Sequence, residues 1–96
     1  MLYLSDKTVG GWAGNYQCRI AADTDTTLAI PLTATHAVFS ADMPFWVDDS
    51  AITLPSAAAF ASTTALKNPE NIAVTPGGTL HFRSRQQQDI YVAFYF

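Results

Sequence analysis

The sequence predicts an all-β fold, a single small antiparallel β-sandwich of jelly-roll-like form with about seven or eight short strands. Three observations predict it. Apolar residues recur with period two along most of the 96-residue chain, and no segment sustains a helical period. Turn-forming clusters interrupt these runs at intervals of roughly 8–12 residues. Hydrophobic residues make up 49% of the chain and charged residues only 14%, a balance that favours a packed core and excludes disorder for most of the length.

The elements follow in order. In Tyr16-Gln17-Cys18-Arg19-Ile20 the apolar residues fall on alternate positions, which reads as a half-buried strand with Cys18 on its inner face. Asp23-Thr24-Asp25-Thr26 is a turn. Leu28, Ile30 and Leu32 alternate again, but Pro31 has no backbone donor, so this strand belongs at an edge or an end. His36–Ser40 is a third strand, and Phe45-Trp46-Val47 begins a fourth after Asp42-Met43-Pro44. Asp48-Asp49-Ser50 reads as a solvated turn, and Ile52-Thr53-Leu54 as a short fifth strand.

The stretch 55–71 breaks the pattern. It is rich in Ala, Ser, Thr and Asn, with Phe60 and Leu66 as its only large apolar residues. A long excursion is expected there in preference to a helical turn around 57–61, and loops of more than about 12–15 residues often contact something else. Alternation returns at Ile72-Ala73-Val74, and Pro76-Gly77-Gly78 supplies a turn. Leu80–Arg85 is strongly amphipathic, with Leu80 and Phe82 opposing His81, Arg83 and Arg85. Gln86-Gln87-Gln88-Asp89 reads as a connection. Ile90–Phe96 is apolar on both faces, so it is expected to be central, or to have one face covered by another molecule. Residues 35–47 echo 80–92 without gaps, which suggests two hairpins facing one another. One domain spans 1–96, with residues 1–14 either an N-terminal arm or part of the sandwich, and the long loop at 55–71.

Composition narrows the function classes. Five basic residues against eight acidic ones leave a formal charge of −3, which gives no electrostatic footprint for nucleic acid or an anionic membrane. Cys18 is the only cysteine, so neither an intrachain disulfide nor a cysteine-based zinc site can form. Residues 1–7 have no signal-peptide pattern, and no run approaches the roughly 20 apolar residues of a membrane helix. A soluble chain made in the cytoplasm is expected.

The chemistry-bearing residues form no motif. His36 and His81, with Asp42 or Asp89, would make a metal site only if the fold joined them, and no ligand spacing supports that, so no metal and no cofactor are expected. No Gly-x-Ser-x-Gly elbow places a serine beside a base. Asp48 and Asp49 are adjacent, and in a strand they point to opposite faces, which is unsuited to joint acid–base work. Gly10-Gly11 and Gly77-Gly78 lack a phosphate-loop context. Cys18 on an inner strand face is an inert thiol. The reading is a protein without catalytic residues.

Aromatic residues carry the remaining signal. On the predicted alternation Trp46 opposes Phe45 and Val47, while Tyr91 and Tyr95 oppose Ile90, Val92 and Phe94. Large apolar groups on both faces exceed what one small interior holds. The surplus points to a protein interface, to a second cluster covered by the chain itself, or to a sugar-stacking platform. The interface residues expected are Leu2, Tyr3, Leu4 and Trp12 in the N-terminal segment, with Phe60 and Leu66 in the long loop. The sugar-stacking alternative uses Trp46, Tyr91 and Tyr95.

The succession of residues 34–47, a variable loop, Ile72-Ala73-Val74-Thr75-Pro76-Gly77-Gly78-Thr79-Leu80-His81-Phe82-Arg83-Ser84 and Asp89–Tyr95 resembles small virion proteins of tailed bacteriophages and prophages. It covers about residues 30–96 and rests on pattern and turn placement. The resemblance implies a β-sandwich that serves as a structural part of the particle, a capsid decoration protein or a head or tail accessory. Its partners would be capsid or other virion proteins and further copies of itself, and it implies no catalytic residues. The alternative is a carbohydrate-binding β-sandwich module.

Overall fold

A computed structural model describes residues 2–4, 11–52, 63 and 65–96. Within them nine strands form two antiparallel sheets: β1 (Tyr3–Leu4), β2 (Trp12–Ile20), β3 (Thr26–Ala29), β4 (His36–Ala41), β5 (Trp46–Asp48), β6 (Leu66–Lys67), β7 (Asn71–Ala73), β8 (Thr79–Arg83) and β9 (Gln88–Tyr95). One sheet has five strands in the order β1-β7-β4-β9-β2, and the other has four in the order β3-β8-β5-β6. The pairing is nested: β2 with β9, β3 with β8, β4 with β7, and β5 with β6. The chain is thus one long two-limbed ribbon. Rolling it up brings β4 against β9 and β5 against β8. That is the jelly-roll topology, and it leaves β1 as an extra strand on the free edge of β7.

The interior follows the predicted alternation. Leu80 and Phe82 of β8 face Ile90, Val92 and Phe94 of β9 and Ala37 and Phe39 of β4, all buried in one cluster. Phe39, Phe45 and Phe82 form its aromatic centre, with ring centroids 5.8–6.4 Å apart. Burying each such side chain contributes about 1.5–3 kcal/mol. Pro31 behaves as its missing donor requires: β3 stops at Ala29 and forms an edge of the four-stranded sheet. Thr75-Pro76-Gly77-Gly78 is a hydrogen-bonded turn (Gly78 N donates to Thr75 O, 3.0 Å), with φ of 75° at Gly77, a value glycine adopts without strain. β9 lies between β4 and β2, the central position expected of it.

Several expectations change. The two echoing segments are not hairpins. In each, the first strand lies in one sheet and the second in the other, so their turns are crossings at one end of the sandwich. The echo does mark the strands that meet in the middle of both sheets, β4 with β9 and β5 with β8. A buried polar knot ties the two crossings together. Gln88 Nε2 donates to Pro44 O (3.0 Å) and Ser84 Oγ (2.8 Å), Ser84 Oγ donates to Pro44 O (3.1 Å), and Met43 N donates to Gln88 Oε1 (3.2 Å). Gln88, read as part of a polar connection, is therefore a buried first residue of β9.

Of the two alternatives for residues 1–14, those described belong to the sandwich. Leu2 is buried in the core, Tyr3–Leu4 pair with β7, and Trp12 already begins β2. The long loop closes earlier than 71, because Leu66–Lys67 pair with β5 and Leu66 packs against the core. Asp48 is a buried member of β5, not part of a solvated turn, and its Oδ1 accepts from Asp49 N. Ile52 lies outside any strand, and Thr53, Leu54 and Phe60 lie outside the described residues.

Candidate interaction surface

Each sheet has an inner face on the core and an outer face, and the two outer faces differ sharply. On the four-stranded sheet Trp46 points outward, because its neighbour Val47 pairs with Phe82 and faces the core. Trp46 is nonetheless only 8% exposed. Lys67 Nζ and the Arg85 guanidinium stand 5.4 and 5.6 Å from its ring centroid, a geometry worth about 0.5–1 kcal/mol per cation at exposed sites. Beside it the polar groups bond one another. His81 Nδ1 lies 2.8 Å from Asp25 Oδ2, Arg83 donates to the carbonyls of Ile52 and Asp23, and Ile52 N donates to Asp25 Oδ1. Ile52 and Trp46 are buried but stand apart from the main core cluster. Part of the surplus apolar surface is therefore covered by the chain itself.

The five-stranded sheet is different. Register places Gln17 and Ser40 on either side of Tyr91, Asn15 and Val38 on either side of Ala93, and Trp12 and His36 on either side of Tyr95. These residues share the outer face. Tyr91 is 50% and Trp12 62% exposed, and the Trp12 indole donates to Asn15 Oδ1 (3.2 Å). An open groove of about 510 Å³ crosses the face over β4, β9 and β2, and its lining includes Asn15, Gln17, Val38, Ser40, Tyr91 and Ala93. Arg19 and Asp89 form a two-bond ion pair across β2 and β9 near one end. The hydrogen-bonded guanidinium holds the Asp89 carboxyl below the usual carboxylate range, and the Arg19 value rises in turn.

Two more rings are exposed along β2. Tyr16 follows the inward alternation, packing edge-on to Phe94 at 5.6 Å, yet β2 is the sheet's last strand and leaves 41% of the residue open. Phe96 is 58% exposed and lies over Gly11, whose carbonyl accepts from Phe96 N (2.8 Å). A Cβ on Gly11 would run into that ring. Four of the large exposed hydrophobics, Trp12, Tyr16, Tyr91 and Phe96, thus lie on β2, on β9 or just past the end of β9; Leu32, in the β3–β4 connection, is the fifth among the described residues.

The structure separates the residues expected to act together. Of the stacking set, Tyr91 and Tyr95 share an outer face, but Trp46 is buried on the opposite sheet and cannot join them. Of the interface set, Trp12 is exposed, Leu2 is in the core, Leu66 is half-buried against it, and the side chains of Tyr3 and Leu4, with Phe60, lie outside the described residues. His36 and His81 sit on the outer faces of opposite sheets, so the two imidazoles do not meet. Among the described residues no group of three or more His, Cys, Asp or Glu side chains could hold a metal ion. Cys18 is half-buried toward the interior of β2, and burial pushes its thiol pKa up, which suppresses the reactive thiolate.

Sequence reasoning missed Tyr16 and Phe96 as exposed rings. Period-two alternation says which face a residue takes but not whether its strand has a neighbour. No family model matches the chain, and comparisons with curated proteins and with solved structures return no match.

Proposed function

We propose that this chain is a non-enzymatic structural protein of a tailed-phage virion, bound as a decoration or accessory to the assembled capsid or to the head or tail surface. The observation that carries the reading is the gathering of exposed aromatic rings on the β2–β9 side of one sheet while the opposite sheet covers its own tryptophan. Exposed apolar patches with polar surroundings suit association, in which removing ring surface from water drives binding. The jelly roll recurs in capsid proteins, which is a fold-level analogy, and the sequence resemblance points the same way. Particles induced from the host that encodes the chain can be banded on a density gradient and probed with an antibody. Co-migration with intact particles is the expected result. A chain found only in the soluble fraction, free of particles at every stage of the lysate, would defeat the proposal.

A second reading has one specific observation in its favour. The groove over β4, β9 and β2 combines an exposed ring, Tyr91, with neutral amide and hydroxyl groups from Asn15, Gln17 and Ser40. That is the lining a sugar needs, a flat apolar face for stacking and uncharged partners for hydroxyls. Tyr95 stands four residues along the same strand, about 13 Å away. Glycan-array binding by the purified protein, lost in Tyr91→Ala, would favour this reading over the first.

A further inference from the structure

We infer that the outer edge of β2 is a self-association seam, where the strand pairs antiparallel with β2 of a second copy and joins two five-stranded sheets into one of ten. The inference deepens the structural reading proposed above by naming the surface and the partner.

Edge lengths carry the first part of the argument. Among the described residues the two sheets end in β1, β2, β3 and β6, and three of these are short: β1 and β6 have two described residues each, and β3 has four. Short edge strands are one of the ways proteins prevent unwanted pairing. β2 has nine residues, and among the described residues no strand pairs with its outer side. Its row of backbone donors and acceptors is a template for another strand.

The sequence of β2 carries the second part. Trp12-Ala13-Gly14-Asn15-Tyr16-Gln17-Cys18-Arg19-Ile20 contains no lysine and no proline, the residues that usually blunt an edge. Its one charge, Arg19, is already paired with Asp89. An antiparallel pair about a two-fold axis near the middle of the strand sets the two Arg19 residues at opposite ends, so they do not repel. The irregularity between Trp12 and Gly14 lies near one end and leaves Asn15–Ile20 in regular register with β9. A second copy is the natural partner because a two-fold operation turns this strand into its own antiparallel neighbour.

Area supplies the third part. Trp12, Tyr16 and Phe96 flank the seam, and rings of this size, roughly half exposed, offer about 300 Å² per copy. The strand edge, about 30 Å long and about 10 Å deep, adds about as much again. Two copies together approach about 1,200 Å², the lower end of the range for specific interfaces.

The experiment is a concentration series of the purified full chain by sedimentation and light scattering, joined to amide hydrogen exchange. Dimers are expected, with slowed exchange at the β2 amides that face away from β9. Tyr16→Lys places a charge at the seam on a partly exposed side chain and should weaken the dimer by about tenfold or more. Leu32→Lys, an equally drastic change away from β2, should leave it intact. Circular dichroism melts check that both variants fold. A chain that stays monomeric throughout overturns the seam, as does an oligomer whose β2 amides stay unprotected or that Leu32→Lys dissolves and Tyr16→Lys does not. Particle binding reads out separately. A monomer that still bands with virions removes the seam alone, and a β2 dimer that never meets a particle removes only the virion reading.

Discussion

Replacing Phe82 with alanine tests the packing of the two sheets at their centre. Phe82 has no exposed surface, and its cross-strand neighbours Thr26 and Val47 place it between β3 and β5, inside the four-stranded sheet. Its ring meets Phe39 edge-on at 5.8 Å and Phe45 at 6.4 Å. Truncation loses the burial of the ring, about 1.5–3 kcal/mol, and about 0.5–1.5 kcal/mol for each aromatic contact. A cavity is also left, because β-sheets on both sides limit collapse. Measured costs for buried phenylalanine truncations run at about 3–5 kcal/mol, and that range is expected here. A domain of this size holds only about 5–14 kcal/mol in total, so urea unfolding followed by circular dichroism should show a large fall in midpoint with little change in slope. The matched control is Tyr91→Ala, a similar truncation on the outer face, which should stay within about 0.5–1 kcal/mol of the wild type in a monomer. If Phe82→Ala cost less than about 1.5 kcal/mol, or if the two variants were equivalent, the assignment of inner and outer faces would be wrong.

Gly14→Ala should destabilise the fold by about 1–3 kcal/mol, because Gly14 sits at the β2 irregularity with φ of 143° and an added Cβ would press on the Tyr16 ring; an unchanged melting midpoint would argue against this backbone geometry. The Arg19–Asp89 pair predicts a pH effect of definite sign. The Asp89 pKa is depressed in the folded chain, so its contribution is present above the unfolded carboxylate value of about 3.9 and is lost as pH falls through the lower folded value. Comparing acid unfolding of the wild type with Asp89→Asn checks it: the stability difference between the two should shrink below about pH 4, and a difference that stays constant to the acid limit would refute the pairing.

The fold was legible in the sequence because its strongest signal is local. Leu80, Phe82, Ile90, Val92 and Phe94 announce their shared face by alternation alone, and all five are fully or almost fully buried. Pro31 and the Pro76-Gly77 turn act through dihedral angles and missing donors, which also travel with the residue. What failed was non-local. Trp46 and Tyr91 look alike in sequence, each an aromatic residue opposing apolar neighbours on a strand. Trp46 is covered because Lys67 and Arg85, 21 and 39 residues away in sequence, fold over it. Gln88 lies in a run of three glutamines, and only the partners at Met43, Pro44 and Ser84 distinguish it from its exposed neighbours Gln86 and Gln87.

The same distinction governs the surface. A sandwich of two layers has two outer faces, and this chain finishes one and leaves the other open. On the four-stranded sheet two cations stand over the aromatic residue, and it is nearly buried. On the five-stranded sheet the charges near the rings, Arg19 and Asp89, answer each other, while Trp12, Tyr16, Tyr91 and Phe96 remain in water. Among the described residues β2 adds, on the same side, a nine-residue edge with no strand paired to it, where the other three edge strands have two to four residues. Two independent kinds of unsatisfied surface, apolar rings and strand-edge donors and acceptors, thus coincide on one flank. Solvent exposure of either alone is ordinary in a small protein. Their coincidence is what the proposed seam requires, since one strand-to-strand contact at β2 would bury Trp12, Tyr16 and Phe96 and complete the ladder at the same time.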